Sequence, residues 1–365
     1  MNEKYNGAID FWKFIFCMVI LIYHVGEYFG KGEYPFRWGM YAVEFFFVVS
    51  GYFMCVSAQS AKKRSQVSLG HETFGFVMHK LMKIFPAYLF AYVLAFIRWF
   101  AYSGLDLLKT KGVMSFVKAL IWMLPDFLLT FMAGYEGKII IRITWYISAM
   151  FIAMLVLYPL LRKYEDFFQL VIAPLIVLFL SGYLANTTHY NGIMEYEIIM
   201  THGVMRAFIG LSLGCVVHAF SEYLKKQNFT RVSHVLLSVV ELVGYGIILM
   251  LMYAGEAEGA YIINILLLFV VSITASKQAV TARLFDCRVS VFLGKMSLYV
   301  YLCQSPARAL IKEWCDGQPY RQCFVYTVSL SFAFACLGLL VVSVCVKQWN
   351  NRKESIKKVF INTTK

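Results

Sequence analysis

The feature that most constrains this chain is a series of apolar runs, each long enough, or nearly so, to cross a lipid bilayer as a helix. A spanning helix needs about 17 to 25 predominantly apolar residues. Hydrophobic residues make up 60% of the chain and charged residues only 15%, unlike soluble globular domains. The sequence therefore predicts an all-α, polytopic membrane protein with about ten transmembrane helices. The ten runs lie near 11–29, 39–58, 77–99, 141–161, 168–184, 202–220, 234–253, 260–276, 289–311 and 323–346.

The basic residues predict the topology and the role of a further, ambiguous run at 115–133. If that run does not cross, loops 185–201 and 254–259, without Lys or Arg, lie on one side of the membrane. The Lys and Arg clusters lie on the other side, which the positive-inside rule makes cytoplasmic. A crossing at 115–133 would invert every later loop. We therefore expect 115–133 to be re-entrant or interfacial, with both termini cytoplasmic and the protein in the cell membrane. The basic clusters are at 62–64, 162–163, 225–231, 277–288 and 347–358.

Composition and cysteine usage exclude several other classes of protein. The formal net charge of +13 is spread over short clusters between apolar runs, which argues against nucleic-acid binding. The nine cysteines form no C-x-x-C pair, so no zinc, other metal or redox site is expected. Cys315 and Cys323 flank a polar loop, and whether they pair is left open. We expect one membrane domain, 1–346, followed by a basic cytoplasmic tail, 347–365.

The first apolar run contains four ionisable residues, Asp10, Lys13, His24 and Glu27. An ionisable residue at the centre of a membrane helix costs about 2.5 to 3.5 kcal/mol on insertion, so such residues usually face protein or water. Lys13 and His24 share one helix face, about 16 Å apart along the axis. Glu27, one turn after His24, can orient the imidazole. Glu44 in the second run has a similar depth and is an alternative partner.

Six motifs, in order along residues 9–306, resemble those of the acyltransferase-3 family of integral membrane acyltransferases. The first helix is similar to the family's Arg-x10-His helix, with Lys13 in place of Arg. Lys80 and Lys83 also stand where Arg is usual, Met150 where Glu is frequent, and Gln304 where His is common. Lys keeps the positive charge but loses the bidentate geometry of Arg. The other motifs are VEFFFVVSG from Val43, KLMKIFPAY from Lys80, TWYISAMF from Thr144, RAFIGLSLG from Arg206 and LGKMSLYVYLCQSP from Leu293.

The resemblance implies transfer of an acyl group, commonly acetyl from acetyl-coenzyme A, to a hydroxyl of a cell-surface glycan or a related acceptor. On this interpretation His24 is the general base, oriented by Glu27 or Glu44. Acyl-coenzyme A is then a substrate, and no permanently bound cofactor is expected. The residues by themselves indicate only a buried polar site in a membrane protein.

The same resemblance suggests which residues hold the substrates. Lys13, Lys80 and Lys83 lie near the predicted cytoplasmic face, where a cationic cluster would bind the phosphates of the donor. Lys13 can equally extend to the interface as a simple anchor. Weaker candidates for acceptor or donor binding are Arg206, Trp145 and Gln304, and an interhelical ion pair explains Arg206 nearly as well.

The competing hypothesis is a transporter or flippase for a polar or lipid-linked substrate, because buried charges also line transport paths. Such proteins often consist of two similar halves, and no duplication is visible in this sequence. The ionisable residues concentrate in the first three runs, which favours one fixed site. The oligomeric state is left open.

Overall fold

The computed structural model describes residues 6–30, 34–62, 67–135, 137–187, 192–197, 199–254, 260–315 and 317–363, without the side chains of 260, 350 and 352–363. The basic residues Lys63 and Arg64 and parts of the two loops without Lys or Arg, 188–191, 198 and 255–259, lie outside the described residues. The described chain is almost entirely helical, so the expectation of an all-α membrane protein is confirmed.

Helices account for nearly all of the regular structure. They are α1 (Gly7–Phe29), α2 (Ala42–Lys62), α3 (Leu69–Trp99), α4 (Leu105–Trp122), α5 (Leu124–Phe127), α6 (Trp145–Lys163), α7 (Glu165–Phe167), α8 (Ala173–Thr187), α9 (His202–Lys225), α10 (Arg231–Ala254), α11 (Ala260–Ser276), α12 (Thr281–Phe285), α13 (Arg288–Trp314) and α14 (Tyr320–Thr363). Short 3₁₀ turns cover Gly39–Tyr41, Phe131–Ala133 and Arg142–Thr144, and π-helical turns cover Phe100–Gly104 and Phe168–Ile172. The strands β1 (Tyr196–Glu197) and β2 (Met200–Thr201) form an antiparallel pair.

Within the described part of the chain, eight helical stretches are long and apolar enough to cross a membrane, and they contain eight of the ten predicted spans. The other two predicted spans are helices that fall outside this set. The first, α11, has only 17 residues. The second, α13, has 27 residues but includes polar ones such as Lys295, Gln304 and Arg308. These polar residues are tolerated because α13 packs against α1, α3 and α14 and is not surrounded by lipid alone.

The helix pairs with the closest packing run parallel. Along α1 and α13, the side chain of Asp10 packs on Gly294, and further along both helices the ring of Tyr28 lies 5.0 Å from Lys312 Nζ. Along α2 and α9, Glu44 pairs with Arg206, and further along the ring of Tyr52 lies 5.7 Å from that of His218. Residue numbers rise together in each pair, so both pairs are parallel.

These directions bear on whether 115–133 crosses the membrane. If α3, α6 and α8 each cross once, the chain reverses four times between α2 and α9, and the two helices run parallel as observed. A further crossing at 115–133 would make them antiparallel. The packing of α2 on α9 therefore supports the predicted non-crossing segment, independently of the loop charges.

The segment itself folds back on the end of α3. Gly112 interrupts α4 with φ 77° and ψ 175°, a backbone conformation that favours glycine. The ring of Phe116 then lies 6.0 Å from Trp99 and 5.9 Å from Phe100. A straight helix would separate residues 100 and 116 by about 24 Å. The chain thus reverses at Gly112 before it enters α5.

Small residues allow the close approach of α2 and α9. A Cβ atom at Gly51 would collide with the main chain at Leu211, and one at Gly214 would collide with the main chain at Val48. Glycines at such interfaces let helix backbones pack closely in membranes. The interface fixes the relative position of the polar residues that α2 and α9 carry.

The expected boundary between the membrane domain and the tail at residue 346 is not marked by a break in the backbone. Helix α14 continues through it to Thr363. At the other end of the same helix, Cys315 and Cys323 are free thiols, and Cys323 Sγ lies 3.8 Å from the carbonyl oxygen of Cys315.

Candidate functional site

The last two turns of α1 carry a hydrogen-bonded pair, His24 and Glu27. His24 Nδ1 lies 3.2 Å from Glu27 Oε2, and the side chains are 20% and 50% exposed. An ionised carboxylate can only accept a hydrogen bond, so Nδ1 carries the proton in this pair. In the neutral imidazole Nε2 is then unprotonated and can accept a proton. The structure thus pairs His24 with Glu27, the first of the two expected partners.

Two arginines, one on α13 and one in the turn before α6, are near enough for their charges to act on this pair. The Arg308 guanidinium lies 4.6 Å from the ring of Tyr28, which is one turn after His24, and its charge acts on both His24 and Glu27. The charge of Arg142 also acts on Glu27. Sequence reasoning missed both arginines. The available signal for Arg308 was its position one turn after Gln304, just beyond the end of a motif already matched to the family.

Gln304 is buried on α13 near the same end of the bundle. Its Nε2 donates to the carbonyl oxygen of Tyr301 at 2.9 Å, while its Oε1 is buried without a partner. Tyr301 in turn donates to the carbonyl oxygen of Ile143 at 2.6 Å. Gln304 is therefore held by its own helix and keeps one free acceptor.

Near the other end of α1, three lysines from two helices come together. Lys13 Nζ bonds Asp10 Oδ1 at 2.9 Å and lies 5.3 Å from the ring of Phe53. The charges that act on Lys80 are those of Lys13 and Lys83. The lysine cluster thus consists of Lys13, Lys80 and Lys83, and Asp10 is the one carboxylate paired with it in the described part of the chain.

Glu44, the alternative partner of His24, forms a buried ion pair with Arg206 instead. Arg206 Nε donates to Glu44 Oε1 at 2.6 Å, and both side chains are 1% exposed. Arg206 also donates to the carbonyl oxygen of Met40 at 3.2 Å and lies 5.1 Å from the ring of Trp145. Three predicted site residues therefore form one cluster that joins α2, α6 and α9. The ion pair considered for Arg206 is present, and its partner is Glu44.

Apart from Gln304, the predicted site residues thus separate into three groups around α1. The His24–Glu27 pair lies at one end, the lysine cluster at the other, and the Glu44–Arg206–Trp145 cluster lies among the helices packed beside α1. Only the first two groups combine ionisable side chains with some exposure to solvent. No group of three or more His, Cys, Asp or Glu side chains able to hold a metal ion occurs in the described ranges.

The chain matches the acyltransferase-3 family, described as an acyltransferase domain, over residues 6–347. No curated protein and no solved structure matches it. The matched region includes α1 with both of its polar ends, the lysines of α3 and the cluster around Arg206. Since the match covers nearly the whole chain, this protein belongs to the acyltransferase-3 family and is a membrane acyltransferase.

Proposed function

We propose that the protein transfers an acyl group, most simply acetyl, from acyl-coenzyme A to a hydroxyl of a cell-surface glycan or a related acceptor. The observation that carries this proposal is the division of α1 into two polar ends. A histidine–carboxylate pair occupies one end, and a lysine cluster with one carboxylate occupies the other. A base and an anion-binding cluster at opposite ends of one helix suit a reaction between a phosphate-bearing donor and a hydroxyl acceptor.

His24 acts as the general base. Its Nε2 removes the proton of the acceptor hydroxyl as the oxygen attacks the thioester carbonyl carbon. The C–S bond breaks as the new ester C–O bond forms, and the imidazolium returns its proton to the departing coenzyme A thiolate. Glu27 accepts the Nδ1–H bond throughout, which keeps the required tautomer and stabilises the imidazolium. General base catalysis of this kind contributes about 10²- to 10⁴-fold to the rate.

The lysine cluster binds the phosphates of the donor. Three lysines share one carboxylate, so an anionic ligand favours their ammonium forms and relieves the repulsion between them. Lys13 and His24 are eleven residues apart, or about 16 Å along α1, so the donor would extend its acyl group along this helix. In the proposed orientation the donor enters from the cytoplasm and the acceptor is acylated at the outer face of the cell membrane.

Arg308 completes the reacting end in this proposal. Its guanidinium lies 4.6 Å from the ring of Tyr28, the neighbour of Glu27 in the chain, and its charge acts on the His24–Glu27 pair. Lys312, which lies 5.0 Å from the same tyrosine ring, adds a second cation there. The Glu44–Arg206 pair is buried and closed by Trp145, so we assign it to holding the helices in place.

The test is transfer of labelled acetyl from acetyl-coenzyme A to surface glycans by the protein reconstituted in liposomes. We expect His24→Ala to lose activity by about 10²- to 10⁴-fold. The matched control is His218→Ala, because His218 is a buried histidine of α9 bonded to Gln169 and outside the site. If His24→Ala transferred acetyl at the wild-type rate, the proposed mechanism would be wrong. A transporter would instead move the glycan without forming an ester, which mass spectrometry of the glycan distinguishes.

A further inference from the structure

A cavity of about 410 Å³ lies between α8, α9 and α11, away from α1 and its two polar ends. Its walls are apolar apart from Ser181 on α8 and Tyr261 and Asn264 on α11. No residue of α1, α2 or α13 lines it. The walls include Leu178 and Ile265, which are 68% and 53% exposed and therefore face the hydrocarbon of the bilayer. The cavity is open to lipid rather than to water.

Asn264 has unsatisfied hydrogen-bonding capacity at this cavity. It is 3% exposed, and both Oδ1 and Nδ2 are buried without a hydrogen-bond partner. The hydroxyl of Ser181 is likewise buried without a partner. Buried polar groups without partners are rare and costly, and each calls for a physical reason. A ligand in the cavity that both donates and accepts hydrogen bonds would supply one.

The position and charge of the cavity define the chemistry of that ligand. Asn264 lies four residues after Ala260, where α11 begins, or about 6 Å along the axis. That depth matches the interfacial layer in which lipids carry their glycerol, on the order of 5 to 8 Å thick on each side of the hydrocarbon core. No charged side chain lines the cavity, so it does not suit a phosphate. A hydroxyl next to alkyl chains satisfies both polar atoms of Asn264, whereas an ester only accepts.

We propose that this cavity binds one neutral glycerolipid with a free hydroxyl, of the diacylglycerol type. The hydroxyl donates to Asn264 Oδ1 and accepts from Nδ2 or from Ser181, while the glycerol end of the acyl chains enters the apolar space between α8 and α11 and the rest of the chains extends into the bilayer. The site is separate from the proposed transfer site and does not depend on it. Its occupant bridges helices α8, α9 and α11.

The test compares two lipids that differ only at the hydroxyl. Native mass spectrometry of the purified protein in detergent is titrated with 1,2-dioleoylglycerol and with 1,2-dioleoyl-3-acetylglycerol, in which acetyl caps the hydroxyl. We expect wild type to bind the first about tenfold more tightly, because a net gain of one to two hydrogen bonds corresponds to that ratio. Equal binding of the two lipids by wild type would overturn the proposal, whatever any variant does.

Two substitutions test whether the preference for the free hydroxyl comes from this cavity. Asn264→Leu keeps the cavity apolar and removes both polar atoms, so it should bind both lipids equally. Ser212→Ala is the matched control, since the Ser212 hydroxyl is also buried without a partner but does not line the cavity. This control should keep the preference of wild type. A full preference for the free hydroxyl in Asn264→Leu would show that the lipid binds elsewhere.

Discussion

The hydrogen bond between His24 and Glu27 determines which imidazole nitrogen is available for catalysis. Glu27 accepts a hydrogen bond from the Nδ1–H group, so Nε2 is the only remaining acceptor on the ring. Glu27 is half exposed, so water screens its charge and limits how strongly it can stabilise the imidazolium. The carboxylate therefore matters more for orientation and tautomer than for electrostatic energy.

Glu27→Gln tests this division of roles. The amide oxygen still accepts from Nδ1, but the negative charge is lost, so we expect kcat to fall by about tenfold, the effect of one pKa unit of lost stabilisation. The KM for acetyl-coenzyme A should not change. Steady-state kinetics in liposomes provides the measurement, with Glu222→Gln as the control, because Glu222 pairs with Lys225 at the far end of α9. A rise in the KM for the donor without a change in kcat would contradict the assignment.

The lysine cluster makes a prediction about donor affinity. Lys80→Ala should raise the KM for acetyl-coenzyme A by about 10- to 100-fold with little change in kcat, because hydrogen bonds to charged groups contribute about 1.5 to 3 kcal/mol. Lys13→Ala should act in the same direction, and Lys13→Arg should retain donor binding because it keeps the charge. Lys109→Ala, an exposed lysine of α4, is the control. Unchanged donor affinity in both alanine variants would remove the cluster from the donor site.

Single residues also show where sequence reasoning succeeds and where it stops. The His24–Glu27 contact follows from helical spacing within one run, so the pattern alone predicted it. The Arg206–Glu44 contact joins residues 162 apart in the chain, and depth in the membrane suggested a different partner for Glu44. Arg308 reaches the end of α1 that carries His24 because α1 and α13 pack in parallel. Such contacts depend on which helices are neighbours, and no local pattern encodes that.

At the scale of helices, the α2–α9 interface combines close glycine packing with one buried ion pair. Buried pairs gain little net energy over apolar residues, but breaking one leaves an uncompensated charge inside the protein. Trp145 covers the guanidinium from α6, and Glu44 Oε2 has no hydrogen-bond partner of its own. The pair therefore fixes how α2 and α9 align more than it adds stability.

A double-mutant cycle on this pair tests that interpretation. Glu44→Gln and Arg206→Met should each destabilise the protein by about 3 to 5 kcal/mol, because each leaves one buried charge alone. The double variant should lose less stability than either single variant, because it leaves no unpaired buried charge. Thermal unfolding in detergent provides the measurement, and Lys62→Ala, which removes an exposed ion pair with Glu165, is a control that should lose less than about 1 kcal/mol. Additive losses in the double variant would show that the two residues act separately.

The extent of the helices was largely predictable, whereas their breaks were not. Of the ten apolar runs predicted as spans, eight correspond to helical stretches that are long and apolar enough to cross a membrane. Helix α13 is more polar than a membrane helix that is surrounded by lipid. Several of its polar residues are shielded by packing against α1, α3 and α14. The reversal at Gly112 depends on a single positive φ angle, and a glycine in a helical pattern does not by itself reveal one.

At the scale of the whole molecule, the loop charges and the helix packing independently constrain how the spans are arranged in the membrane. The loop charges predict that 115–133 does not cross, and the parallel packing of α2 on α9 requires an even number of chain reversals between them. The packing does not depend on any lysine or arginine in a loop. It therefore tests the arrangement of the spans, while the charges predict which side is cytoplasmic.

Topology reporters turn this into a measurement. Because α2 and α9 are adjacent and parallel, reporters fused after Lys62 and after Gln227 must report the same side, which the positive-inside rule predicts to be the cytoplasm. A reporter fused after Ile140 should report the outside, where the His24 end of α1 and the glycan acceptor are proposed to meet. Lys62 and Gln227 on opposite sides would mean that 115–133 crosses. Both of them outside would keep the fold but reverse the proposed paths of donor and acceptor, and the lysine cluster could then not meet cytoplasmic acyl-coenzyme A.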